Sequence, residues 1–241
     1  MSIVVLINTS PSIALGGRLG ELAEELRELL PDLDFAVERL NAVEERFCKP
    51  LLLEKPEELE ERFKRTLPLF TLDLVSAMLP FSRGMFVKAE EDASALLRIK
   101  ELEKEVFGEL RLALERATRE RGVNPEPVVA AHAAAVDYDL WLIDMVVEYG
   151  LYGFAERLAE RASEMCDDLA ERLYSLFYVV MCVDAALLGG APYDEGALGV
   201  LVEWCSYYAE EVEDYLDTLI FLIPDEEYEA VREFLKSEVH G

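Results

Sequence analysis

The chain has 241 residues, 52% of them hydrophobic and 30% charged, which is long enough for a substantial core and too apolar for a disordered polymer. Its 50 acidic and 23 basic side chains give a formal charge of −27, and they are unevenly placed. Residues 1–121 hold 18 basic and 24 acidic groups; residues 122–241 hold 5 and 26, a balance of −21. That second half repels phosphate backbones, so direct nucleic-acid binding through it is excluded, and cations or a basic protein surface are the partners it suits.

Gln is absent, Asn occurs three times, and Glu outnumbers Asp by 36 to 14. Few amides and abundant Glu are the compositional habit of hyperthermophile proteins. The four cysteines form no CxxC pair and sit beside no histidine cluster, which argues against a zinc ribbon. They read as small buried hydrophobes, with a disulfide between two of them as the alternative in a hot-environment organism. The N-terminus lacks the basic, apolar and small-residue succession of a signal peptide, so a cytoplasmic location is expected.

In chain order, Ser2–Ile7 is a short β-branched run ending in Asn8-Thr9-Ser10-Pro11, and it predicts a buried strand. Leu22, Leu26 and Leu29/Leu30 predict a helix over Glu21–Leu30, stopped by Pro31. Phe35 and Val37 alternate within Asp34–Leu40, which predicts a second strand. Two parallel strands need cover on both faces, so either a third strand near Phe47–Leu53 or another subunit is required. The remainder reads as helices: Pro56–Arg65, Leu67–Leu79 between Pro68 and Pro80, Lys88–Arg121, Pro125 to about Tyr149, Phe154–Leu188, Glu195–Ile223 and Asp225–Ser237. Gly122 suits a left-handed helix cap, Asn124 the next N-cap and Pro125 the first helical position. The expected architecture is mainly α. A small strand-loop-helix-strand element over residues 1–54 precedes a multi-helix bundle over residues 55–241.

Leu173–Ala191 is the longest apolar run, and it contains one carboxylate, Asp184. That charge, the glycines at its end and the lack of any Lys or Arg from Leu173 through Val231 argue for a core helix rather than a membrane span. Asp184 should point inward beside Phe177, Val180, Met181 and Leu188. It therefore needs a hydrogen-bond donor, a cation or a proton, with a tyrosine hydroxyl or a distant arginine as candidate partners.

Several side chains could carry chemistry. In the loop Asn8–Gly20, Ser10, Ser12, Gly16, Gly17 and Arg18 could surround a phosphate at a helix N-terminus, although neither a P-loop nor a dinucleotide fingerprint is present. Carboxylates Asp137, Asp144, Glu148, Glu164, Asp167 and Asp184 lie on successive helices, the arrangement by which bundles hold Mg²⁺ or Mn²⁺. A solvated acidic face is the simpler account of most of them. His132 is the only interior histidine; without a ligand at i+3 or i+4 it reads as a satisfied core or surface residue. Glu203, Tyr207, Glu210, Asp214 and Asp217 form one helical stripe opposite an apolar seam of Leu201, Trp204, Tyr208 and Val212.

Two functions follow as expectations. The first is a soluble acidic helical interaction or assembly protein, needing no cofactor, that engages a basic protein partner or forms a homo-oligomer through Glu203, Glu210, Asp214 and Asp217. The alternative is a Mg²⁺- or Mn²⁺-dependent enzyme that acts on a phosphorylated small molecule through helix-borne carboxylates.

Overall fold

The computed structural model describes the backbone of residues 18–30, 33–91, 93–141, 143 and 165–219. It is mainly helical, and among the described residues there is no strand. In chain order the helices are α1 (Arg18–Leu29), α2 (Leu33–Leu52), α3 (Pro56–Glu91), α4 (Ala93–Glu120), α5 (residues 125–141), α6 (Met165–Leu187) and α7 (Glu195–Leu219).

The N-terminal strand expectation is corrected. Ser2–Ile7 lies outside the described residues, but Asp34–Leu40 and most of Phe47–Leu53 belong to the single helix α2. The physical reason is the spacing of the buried side chains. Leu33, Ala36, Leu40, Val43, Phe47 and Leu51 recur every three or four residues and are all buried, whereas Phe35 is 48% exposed. The alternation of Phe35 and Val37 was a local coincidence on an amphipathic helix.

The second correction is at the prolines. Pro56–Glu91 is one 36-residue helix that continues through Pro68 and Pro80. An interior proline forfeits a backbone bond and costs about 3 kcal/mol. Burial on both sides of Pro68 opposes that cost, since Phe63, Phe70 and Leu74 are all in the core. Two residues before Pro68, the Thr66 hydroxyl donates to the carbonyl of Arg62 at 2.9 Å.

The break before α5 is as expected. Gly122 has φ +70°, and the Asn124 side chain accepts from the backbone N–H of Glu126 at 3.2 Å. Gly190, with φ +66°, closes α6 in the same left-handed conformation. Asp194 then caps α7 by accepting from the N–H groups of Gly196 and Ala197 at 2.9 and 3.0 Å. Its own N–H donates to the carbonyl of Leu52 at 2.8 Å, which ties the start of α7 to the end of α2.

α6 is the central element. Every residue from Ser175 to Leu187 is buried, so the helix is enclosed on all sides by α2, α3, α4, α5 and α7. One continuous core joins Leu22 of α1 to Val212 of α7, with residues from both sides of positions 54 and 55. Around Tyr178 the core is aromatic: its ring stacks on Phe63 and Phe70 at 4.9 and 4.1 Å and meets Phe47 edge-on at 6.3 Å. Burial pushes the Tyr178 phenol up to about 12, while its hydroxyl meets that of Thr66 at 3.0 Å. Cys48 of α2 and Cys182 of α6 form a disulfide with a Cα–Cα distance of 4.7 Å; Cys205 is a buried free thiol. Among the described residues no helix is long and apolar enough to cross a membrane.

Candidate functional site

The inward carboxylate of α6 has a partner, and it is a histidine. Asp184 and His132 are both completely buried, with His132 Nε2 2.8 Å from Asp184 Oδ2. His132 Nδ1 lies 2.7 Å from the backbone carbonyl of Val128. A carbonyl can only accept, so Nδ1 carries a proton, and the contact between Nε2 and the carboxylate holds one more. Whether that shared proton sits on nitrogen or oxygen, the pair is neutral as a unit. Burial opposes the imidazolium, but the Asp184 carboxylate and the Val128 carbonyl outweigh it and hold the His132 pKa above the ordinary histidine value. Among the described residues Oδ1 of Asp184 has no hydrogen-bond partner.

The setting of the pair keeps it dry. Ala131, Ala134 and Ala135 flank His132 on α5 and are buried, so small side chains let α5 approach α6 closely. Burial, reinforced by Asp184, pushes the Cys205 thiol of α7 up and leaves it inert at neutral pH. On α2, burial raises Glu44 to about 7; Lys49 offsets part of this, and Glu45 and Asp184 add to it. Sealed from solvent, the pair can hold a proton and join two helices. It offers no open side to a substrate.

The acidic stripe of α7 has the opposite character. Glu203, Tyr207, Glu210 and Asp214 are all exposed, with Tyr207 at 54%. Leu201, Cys205, Ala209 and Val212 are buried on the other side of the helix. The nearest preceding cation, Arg172 on α6, is ion-paired with Glu211, off the stripe. Asp217 lies within α7, but its side chain is outside the described residues.

The remaining candidates are placed as follows. Asp137 is exposed on α5, about 140° around the helix from His132, so it does not join Asp184. Asp144, Glu148 and Glu164 lie outside the described residues, as does the side chain of Asp167. Among the described residues no group of three or more His, Cys, Asp or Glu side chains could hold a metal ion. Ser10, Ser12, Gly16 and Gly17 also lie outside them. Arg18 opens α1, with its guanidinium on Glu21 at 3.2 Å and on Glu105 of α4. Both carboxylates raise its already high pKa.

Sequence reading missed two features. The first is the His132–Asp184 pair, whose signal was the coincidence of a lone interior histidine with the lone carboxylate of an apolar run. The second is a basic row on α2, where Arg39 and Arg46 are exposed two turns apart beside a cleft of about 310 Å³. Its signal was the seven-residue arginine spacing, hidden by the strand reading of that segment. No protein-family model, no curated protein and no solved structure matches this chain.

Proposed function

We propose that this protein is an acidic helical interaction module that docks a basic protein surface against the exposed face of α7. One observation carries the reading: Glu203 and Glu210 stand exposed on one helix face, inside a stretch from Leu173 through Val231 that contains no Lys or Arg. The exposed Tyr207 between them supplies the aromatic anchor that interfaces favour. In contrast, the one buried carboxylate among the described residues of that stretch, Asp184, is already neutralised by His132, so it contributes little to the outer field. Electrostatic docking of this kind gains on-rate and specificity from complementary charge and weakens as salt rises.

The test is calorimetric titration with a lysine-rich helical peptide. The reading expects binding that fades between low and high salt and is lost in the double variant Glu203→Gln/Glu210→Gln. Equal affinity of the variant and the wild type would refute it. Titration with Mn²⁺ separates it from a metal-dependent enzyme, for which millimolar metal should bind and Asp144→Asn should abolish binding.

A further inference from the structure

We propose that the basic surface docked by α7 is the arginine row of α2 on a second copy of this chain. The proposal rests on the reading of the α7 face as a docking surface and names its partner. The two helices display matching rows. On α2, Phe35, Arg39, Ala42 and Arg46 follow i, i+4, i+7 and i+11, and all four are exposed. On α7, Glu203, Tyr207, Glu210 and Asp214 follow the same spacing and are also exposed.

Laid antiparallel, the rows bring Glu203 opposite Arg46, Tyr207 opposite Ala42 and Glu210 opposite Arg39. The seven-residue separations are equal, roughly 10.5 Å along each axis, so both ion pairs form in one register. The central position sets a large side chain against a small one. Ala42 borders the 310 Å³ cleft, whose other wall is Asp73 and Ala77 of α3, so the Tyr207 ring has a recess to enter. A parallel arrangement keeps both ion pairs only when Glu203 faces Arg39 and Glu210 faces Arg46, which sets Tyr207 opposite the buried Val43 in place of the exposed Ala42.

The arginines are equipped for this. Among the described residues Arg39 has no ion pair with a carboxylate, and it rests over the Phe35 ring at 5.7 Å. Arg46 gives one nitrogen to Asp73 at 2.5 Å and lies over Phe47 at 5.0 Å, with its side chain 59% exposed. The planar guanidinium retains donors for a second carboxylate. On α3, Leu69 is 50% exposed one turn before Asp73. Within one chain α2 and α7 turn their buried faces into a common core, so their outer rows cannot meet each other. A two-fold axis would use both rows of both copies and close a dimer.

Charge exchange tests the proposal on the full chain at about 0.15 M salt, where the Debye length of ~8 Å screens the repulsion between two acidic copies. Mass would be followed by light scattering for wild type, Arg39→Glu, Glu210→Arg and the double exchange, with circular dichroism verifying that each is folded. Association of the wild type at about 100 μM, a loss of roughly tenfold or more in each single variant and recovery in the double exchange are expected. A monomeric wild type, singles that associate like wild type, or a double exchange no better than the singles would each overturn the proposal. A monomeric wild type that still binds the lysine-rich peptide through Glu203 and Glu210 would remove the second copy and leave the docking face intact. Loss of peptide binding as well would remove both.

Discussion

The outer helices α1 and α4 and the central helix α6 handle charge in opposite ways. Along the edge of α1 and α4 run partly exposed ion pairs: Arg98 of α4 meets Glu25 of α1 at 2.6 Å and Glu101 of its own helix at 3.0 Å, and Arg18 of α1 bridges Glu21 of its own helix and Glu105 of α4. In α6 a single carboxylate is sealed from water against a single histidine. Exposed pairs retain solvation and exchange partners freely, so each contributes little. A buried pair is costly to assemble and far more costly to break, because the surviving partner has nothing to replace what was lost. Asp184 is thus neutralised where it is dry, and Glu203 and Glu210 are left charged where they meet solvent.

Breaking the buried pair should have the largest effect. His132→Ala leaves the Asp184 carboxyl group buried and unpaired, and a loss of about 3–5 kcal/mol is expected from urea unfolding. Asp184→Asn should be milder, about 1–2 kcal/mol, because the amide can donate to Nε2 while Nδ1 keeps the Val128 carbonyl. If the two variants were equally mild, the pair would not be the joint between α5 and α6.

Next comes the covalent link on the same helix. The Cys48–Cys182 disulfide closes a separation of 134 residues, and Cys48→Ala/Cys182→Ala should lower stability by about 4 kcal/mol. Thermal melts with and without reductant would measure the same loss in the wild type and no change in the variant.

The pH dependence sharpens the contrast further. His132 has a raised folded pKa, so its contribution is complete below the unfolded value and is lost as pH rises through the folded one. Glu44, raised to about 7, acts with the same sign: its penalty starts above the unfolded carboxyl pKa and is complete above pH 7. Glu44→Gln should therefore stabilise the protein by about 1–2 kcal/mol at pH 8 and have little effect at pH 4. A benefit at pH 4 as large as that at pH 8 would contradict this placement of Glu44.

The smallest effect belongs to the surface. Arg98→Ala should cost the least of these changes, and molar salt should erase the difference from wild type. A loss as large as that of His132→Ala would end the comparison between the two regions.

How much of this was legible beforehand depends on whether the signal was local. The helix caps at Gly122 and Asn124, the inward direction of Asp184 and the acidic stripe of α7 follow from residues within two turns of one another. Asp34–Leu40 failed because a six- or seven-residue window holds alternation and helical spacing equally well; only the run from Leu33 to Leu51 separates them. Pro68 misled because local backbone rules omit the burial of Phe63 and Phe70. The partner of Asp184 lies 52 residues away on another helix, and no spacing rule connects the two. The arginine row of α2 became visible only once its segment was known to be helical.

The central claim is that the outer face of α7 docks basic surface, and carboxylate footprinting reads it most directly. The full chain would be labelled with a carbodiimide and an amine, with and without the lysine-rich peptide, and the modified residues located by mass spectrometry. Protection concentrated at Glu203 and Glu210, with Glu57, Glu60 and Glu101 on other exposed surfaces unchanged, is the predicted result. Protection spread evenly over the exposed carboxylates, or none at Glu203 and Glu210, would contradict it.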